Sequence, residues 1–355
     1  MTPVPTLNEI TRQLEAAARS GDLSLLRQIL NLRSEALLEE PFPPVPLKLA
    51  AKNGHADCVR LLMSVSDSNI DDSHSLFFAA ANGHAECVRL LAFFSKKANE
   101  HLNPLAAAAE SGHVECVRLL LSSSNPKAYS SLALRSAACN GHAECVALLI
   151  PASDPNAMNH SALRAAAKMG HAECVSLLLP FVELGSDSKP LILAAENGHA
   201  ECVSLLLHKL DPKAIDSLAL RIAAHNGHAE CVKLLIASSD PTSLDSEALV
   251  LAAHHGRVEC VRLLLPASHP LSTFHAPFIA AVERGHAGVA ALMLAHDPLL
   301  AEQPSLDLLR LSSNALRHGH SDLAALLHSC AEQRSLKSCA KDLVEPSLRP
   351  SHMRL

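Results

Sequence analysis

The chain has 355 residues, 48% of them apolar, with no tryptophan and a single tyrosine, Tyr129. Its 30 lysines and arginines stand against 36 aspartates and glutamates, and a net charge of −6 gives no sign of nucleic acid or an anionic membrane as a partner. No apolar run approaches the ~20 residues that span a bilayer, and the start lacks the basic and apolar regions of a secretory signal, so a cytoplasmic chain is expected.

Taken in order, residues 7–39 read as a polar-faced starter pair of helices around Arg19-Ser20-Gly21, followed by a proline-rich link from Pro41 to Pro46. A motif, Gly-His-Ala-Glu-Cys-Val with small variations, then takes over. Its glycines are Gly54, Gly83, Gly112, Gly141, Gly170, Gly198, Gly227, Gly256 and Gly285, spaced by 29 residues except for one gap of 28 after Gly170. Weaker copies at Gly21 and Gly319 lie 33 and 34 residues outside them. A fixed period of this size marks a solenoid, in which each unit buries its apolar face only against its neighbours. The expected organisation is a capping repeat at 1–40, core repeats at 41–300, a second cap at 301–330 and a flexible, basic tail at 331–355.

The repeat ending at Pro180 shows the local logic. Ser161 is placed to cap a helix of strong helix formers, and Gly170 to end it in the left-handed conformation a helix C-terminus needs. A second helix then opens with Glu173 in its first turn, where the helix dipole favours an anion. Val175, Leu178 and Leu179 give it an apolar stripe, and Pro180 stops it. Pairs such as Asp154-Pro155, Asp211-Pro212 and Asp240-Pro241 initiate the connecting turns. Eight cysteines, from Cys58 to Cys260, recur at one place in successive repeats. Stacked helices lie ~8–10 Å apart, too far for a disulfide, so these thiols read as small buried hydrophobes.

The string from Pro190 through Gly198-His199-Ala200-Glu201-Cys202-Val203 to Leu207 resembles an ankyrin repeat in its G-H-x-E pattern, while the family's T-P-L-H box is degraded, with Ile192 at its His position. The resemblance covers roughly residues 10–328. It implies an all-α, helix-turn-helix solenoid of about 10–11 repeats acting as a protein-interaction scaffold, with a partner protein held on the concave face. The 29-residue period is shorter than the family's 33, and the deficit falls in the connector, so short or absent β-fingers are expected.

Chemistry finds little footing. His-Ala-Glu matches half of a zinc deaminase signature, but no Cys-x-x-Cys completes it, and its repetition marks it as architecture. The Gly-His histidines are expected to hydrogen-bond backbone across repeats, and no metal, cofactor or catalytic residue is assigned. The cluster His254-His255-Gly256-Arg257, with His225 one repeat earlier, stands apart from the pattern.

Function is therefore expected where the repeats vary. The two residues before each turn glycine change in charge and size above a near-constant frame, and Lys168, Met169, His225, His254, His255, Glu283 and Arg284 are the candidate partner-binding residues. Phe77, Phe78, Phe93 and Phe94 read as core filling, or as a docking patch. The expected molecule is a non-enzymatic, monomeric adaptor; likeness to ankyrin proteins that bacteria deliver into host cells extends this to an effector. The alternative is an inhibitor that occludes a partner enzyme.

Overall fold

A computed structural model describes residues 7–35, 44–65, 73–94, 102–268, 275–303 and 306–344. Among the described residues eleven helix pairs follow one another. The chain divides into two compact units, Met1–Leu184 and Gly185–Leu355. The division falls in the irregular connector that produces the 28-residue gap.

The first unit holds α1 (Leu7–Ser20) and α2 (Leu23–Glu35), α3 (Val45–Lys52) and α4 (Ala56–Val65), and α5 (Ser73–Ala81) and α6 (Ala85–Phe94). It continues with α7 (Pro104–Glu110) and α8 (Val114–Leu121), α9 (Ala128–Cys139) and α10 (Ala143–Leu149), and α11 (Ala157–Met169) and α12 (Ala172–Leu178). The second unit holds α13 (Lys189–Glu196) and α14 (Ala200–Leu206), α15 (Ala214–Asn226) and α16 (Ala229–Ile236), and α17 (Ser243–His254) and α18 (Val258–Leu264). It ends with α19 (His275–Glu283) and α20 (Ala287–His296), and α21 (Leu308–Arg317) and α22 (Ser321–Val344). Within each unit the first helices of successive pairs pack on one another, as do the second helices. Among the described residues there is no strand, in keeping with the loss of the β-finger.

The core is thin and repetitive. In one repeat Leu134, Ala137 and Ala138 of α9 are fully buried against Cys145, Val146 and Leu149 of α10, and the same register recurs along both units. Alanine pairs let the first helices approach closely, while each buried leucine contributes about 1.5–3 kcal/mol. Side-chain oxygens of Asn125, Asp154, Asp211, Asp240 and Asp297 each accept the N–H two residues on, so the Asp-Pro class of connector does fold as a turn.

The connectors contain a feature the sequence reading does not anticipate. Three successive residues are left-handed at Tyr129–Ser131, Met158–His160, Ile215–Ser217 and Leu244–Ser246, each just inside the first helix of its pair. Ser161 consequently follows a left-handed turn and donates its hydroxyl to the Ala157 carbonyl, rather than capping a free amide as expected. In two repeats the third left-handed residue is a buried serine whose Oγ accepts from the next repeat: Ser131 from Asp154 N–H and Ser217 from Asp240 N–H, both at 2.9 Å. The left-handed form costs a non-glycine residue roughly 1–2 kcal/mol. Ile215, β-branched and 64% exposed, has little packing to offset that cost. Ile215→Gly is therefore expected to stabilise the chain by ~0.5–1 kcal/mol in urea unfolding, whereas in an ordinary helix the same change costs about 1 kcal/mol. Destabilisation would contradict the left-handed turn.

The C-terminal end also departs from expectation. Residues 331–344, read as part of a flexible tail, continue α22. Arg334 donates to the Leu306 carbonyl at 2.9 Å and Lys337 pairs with Glu302 at 2.7 Å. Polar side chains, rather than an apolar stripe, tie this segment down. Residues 345–355 lie outside the described residues. No described helix is long and apolar enough to cross a membrane.

Candidate partner-binding site

The site is built on the turn inside each pair. The first helix ends one or two residues after the buried Ala-Ala step, and the turn glycine takes a left-handed conformation, as at Gly227 with φ of 86°. The next residue's amide then returns to the helix: His228 N–H bonds the Ala223 carbonyl at 2.9 Å. From that position the histidine side chain points back along the stack. His84 Nε2 lies 3.0 Å from the Lys52 carbonyl, His142 3.0 Å from Glu110, His171 3.0 Å from Cys139, and His228 3.0 Å from Glu196. A carbonyl only accepts, so each Nε2 carries its proton, and these rings are architectural as expected.

The carbonyls they fasten belong to the residues where variation begins. Each of these is the first of the two positions before the glycine. The second position is asparagine in several repeats, and Asn53, Asn82, Asn140 and Asn197 cap carbonyls of their own helices four residues back. Their recurrence is thus explained by helix-end geometry. The carbonyls named above are thus bonded from within the stack.

Of the sequence candidates, His225, His254, His255 and Arg284 come together in the second unit. The His225 and His255 rings are 4.1 Å apart and those of His254 and His255 4.6 Å, both edge-on. Arg284 Nε donates to His254 Nε2 at 3.0 Å, so His254 accepts with that nitrogen. His286 bonds the His254 carbonyl at 3.0 Å. Arg257 replaces the usual turn histidine and its Nε reaches the His225 carbonyl at 3.2 Å. His255 is held below the ordinary histidine pKa, first by burial and then by the neighbouring His225, His254, Arg257 and Arg284.

The remaining candidates sit elsewhere. Lys168 and Met169 close α11 in the first unit and are exposed. Glu283 is exposed beside a cavity of about 320 Å³ lined by Val282, Leu311, Asn314, Ala315, His318 and His320. That cavity was missed from sequence because the last repeats are irregular there. Phe77 and Phe78 are half-buried and meet edge-on at 5.6 Å, with Lys48 Nζ 5.4 Å and Lys52 Nζ 5.6 Å from the Phe78 ring centre. The side chains of Phe93 and Phe94 lie outside the described residues. Among the described residues no group of histidines, cysteines and carboxylates is arranged to hold a metal ion.

Stacked helix pairs with a self-satisfied turn and a variable edge define a helical repeat protein. A family model described as ankyrin repeats (3 copies) matches residues 14–101, 76–159, 134–216 and 212–274. The chain belongs to the ankyrin-repeat family. Among solved structures it is similar to the ankyrin repeat domain of human ASB11, at 24% identity over 58% of this chain and 95% of that one, with a TM-score of 0.44. No curated protein matches the sequence.

Proposed function

We propose that this chain is a non-enzymatic scaffold that holds a partner protein on the edge formed by the ends of its first helices. The supporting observation is the contrast at that edge. Turn glycines, histidines and carbonyls bond one another from repeat to repeat, while the side chains beside them pass from Lys168-Met169 to His254-His255 to Glu283-Arg284. Ankyrin repeats are in general protein-interaction modules, which fits this reading. The buried thiols, raised to about 11 by burial at positions such as Cys145, are poor nucleophiles and support a non-catalytic role.

The test is an affinity capture from eukaryotic and bacterial lysates. Wild type is run beside a variant with Lys168, Met169, His254 and His255 all changed to Ala. A protein recovered by wild type and depleted at least about tenfold from the variant supports the reading. Equal recovery of every protein by both removes these residues from the interface. The lysate that supplies the partner decides whether the effector version stands, and the partner's activity when bound separates scaffold from inhibitor.

A further inference from the structure

The edge of the second unit gathers histidines and arginines. Across the ends of α15, α17 and α19 and their turns stand His225, His254, His255, His286, Arg257 and Arg284. The chain as a whole carries a net charge of −6. The acidic side chains on the same helix ends are Glu283 beside Arg284 and Glu196 on α13, both exposed. Arg221 on α15 is already paired with Glu247 of α17, Glu230 on α16 with Lys233, and on α18 Glu259 is paired with Arg262, so these pairs leave the balance unaltered.

The cluster is also linked internally. Arg284 binds His254, and the His255 ring bridges His254 and His225, so a charge placed on one ring is felt by the others. The carbonyls at these helix ends, which would repel an anion, are occupied: His225 O by Arg257 and His254 O by His286. Ring nitrogens and guanidinium groups therefore form the accessible polar surface. The rings are half-buried, which keeps them from full hydration, and Arg284 is exposed.

We infer that the His225–His254–His255–Arg257–Arg284 cluster is a docking site for an acidic segment of a partner protein, engaged more tightly as its histidines protonate. This rests on the reading of that edge as protein-binding and specifies the chemistry of what it holds. Carboxylates between the two arginines supply the negative charge that a protonated His255 lacks in the free molecule. Without them, burial and then the neighbouring His225, His254, Arg257 and Arg284 hold its pKa below the ordinary histidine value. Binding and protonation then favour each other by linkage, so falling pH through the histidine range strengthens the complex.

The experiment uses the full chain and a fluorescein-labelled oligo-glutamate peptide, with an oligo-glutamine peptide of equal length as the neutral probe. Oligo-glutamate is expected to bind roughly tenfold more tightly at pH 6.0 than at pH 7.5, the change that uptake of about one proton supplies over this range. His255→Gln with Arg284→Gln is expected to remove most of that binding and its pH dependence. Lys213→Gln, which removes an exposed charge just before α15, leaves both intact. On the unmutated chain, the titration of the His255 ring followed by NMR is expected to move upward when oligo-glutamate is added, a readout independent of any variant's folding.

Equal binding of the two peptides, an affinity flat across pH, or an unmoved His255 titration would overturn the inference. Were oligo-glutamate to fail while lysate capture still depended on His254 and His255, the acidic segment would be refuted and the protein-binding edge would stand.

Discussion

Gly141→Ala is expected to destabilise the chain by about 2–4 kcal/mol, although it adds a single methyl group at a surface turn. Gly141 has a φ of 76°, which strains any side chain, and a Cβ built there falls 2.5 Å from His171 Nδ1 of the following repeat. The ring would have to move, and moving it breaks the 3.0 Å bond from His171 Nε2 to the Cys139 carbonyl. Three costs thus arise together: backbone strain, a steric clash and an unpaired carbonyl between two repeats. His171→Ala alone removes only the bond and is expected to cost about 1–2 kcal/mol. In the double variant the clash disappears because the ring is gone, so its loss should fall short of the summed single losses by about 1 kcal/mol or more. Urea unfolding of the four proteins measures this coupling. Strict additivity would show that glycine and histidine recur for separate reasons. In a stack where each repeat contacts only its neighbours, a defect at this junction weakens an interface rather than one helix pair.

The same pair shows how far the sequence could be read. The period placed the helix pairs, the turn glycines and the buried cysteines, because each repeat must present one face to the next. It also placed the histidines against backbone, since the rings recur with the turn. What it could not supply was the partner of each ring, a carbonyl 32 residues back, as in His171 to Cys139. That distance spans a junction, and local propensity does not cross one. The left-handed turns at Tyr129–Ser131 and Ile215–Ser217 were hidden for the opposite reason: tyrosine, serine and isoleucine carry no left-handed preference. Residues 331–344 lacked an apolar stripe, so their helix, fastened by Arg334 and Lys337, fell outside a reading based on apolar periodicity. Of the candidate site, His225, His254 and His255 were legible as neighbours because one repeat of displacement brings equivalent positions together. Lys168 and Met169 follow the same rule but belong to the other unit.

Alkaline pH is expected to unfold the chain through its buried thiols. Burial pushes Cys87, Cys116 and Cys145 in the first unit, and Cys202, Cys231 and Cys260 in the second, up to about 11. In the unfolded chain each returns to its ordinary value of 9.0. A folded pKa above the unfolded one means stability that is fully present below pH 9 and is lost as pH rises towards 11. Within that window each thiol removes about 1.4 kcal/mol per pH unit, up to roughly 3 kcal/mol in all. A fraction of that sum over six thiols rivals the ~5–15 kcal/mol that typically separates folded from unfolded chains. Urea midpoints are therefore expected to hold between pH 7 and 8.5 and then fall steeply. Replacing Cys116 and Cys145 with Ala should flatten the fall by up to two protons' worth of slope, whatever the change costs at neutral pH. Lysine and tyrosine titrate in the same range but are common to both proteins, so they cancel in the comparison. Parallel curves for wild type and variant would mean that the thiols ionise without unfolding the stack. A flatter variant curve would show that the cysteines recurring every 29 residues hold the helices together only while they remain protonated.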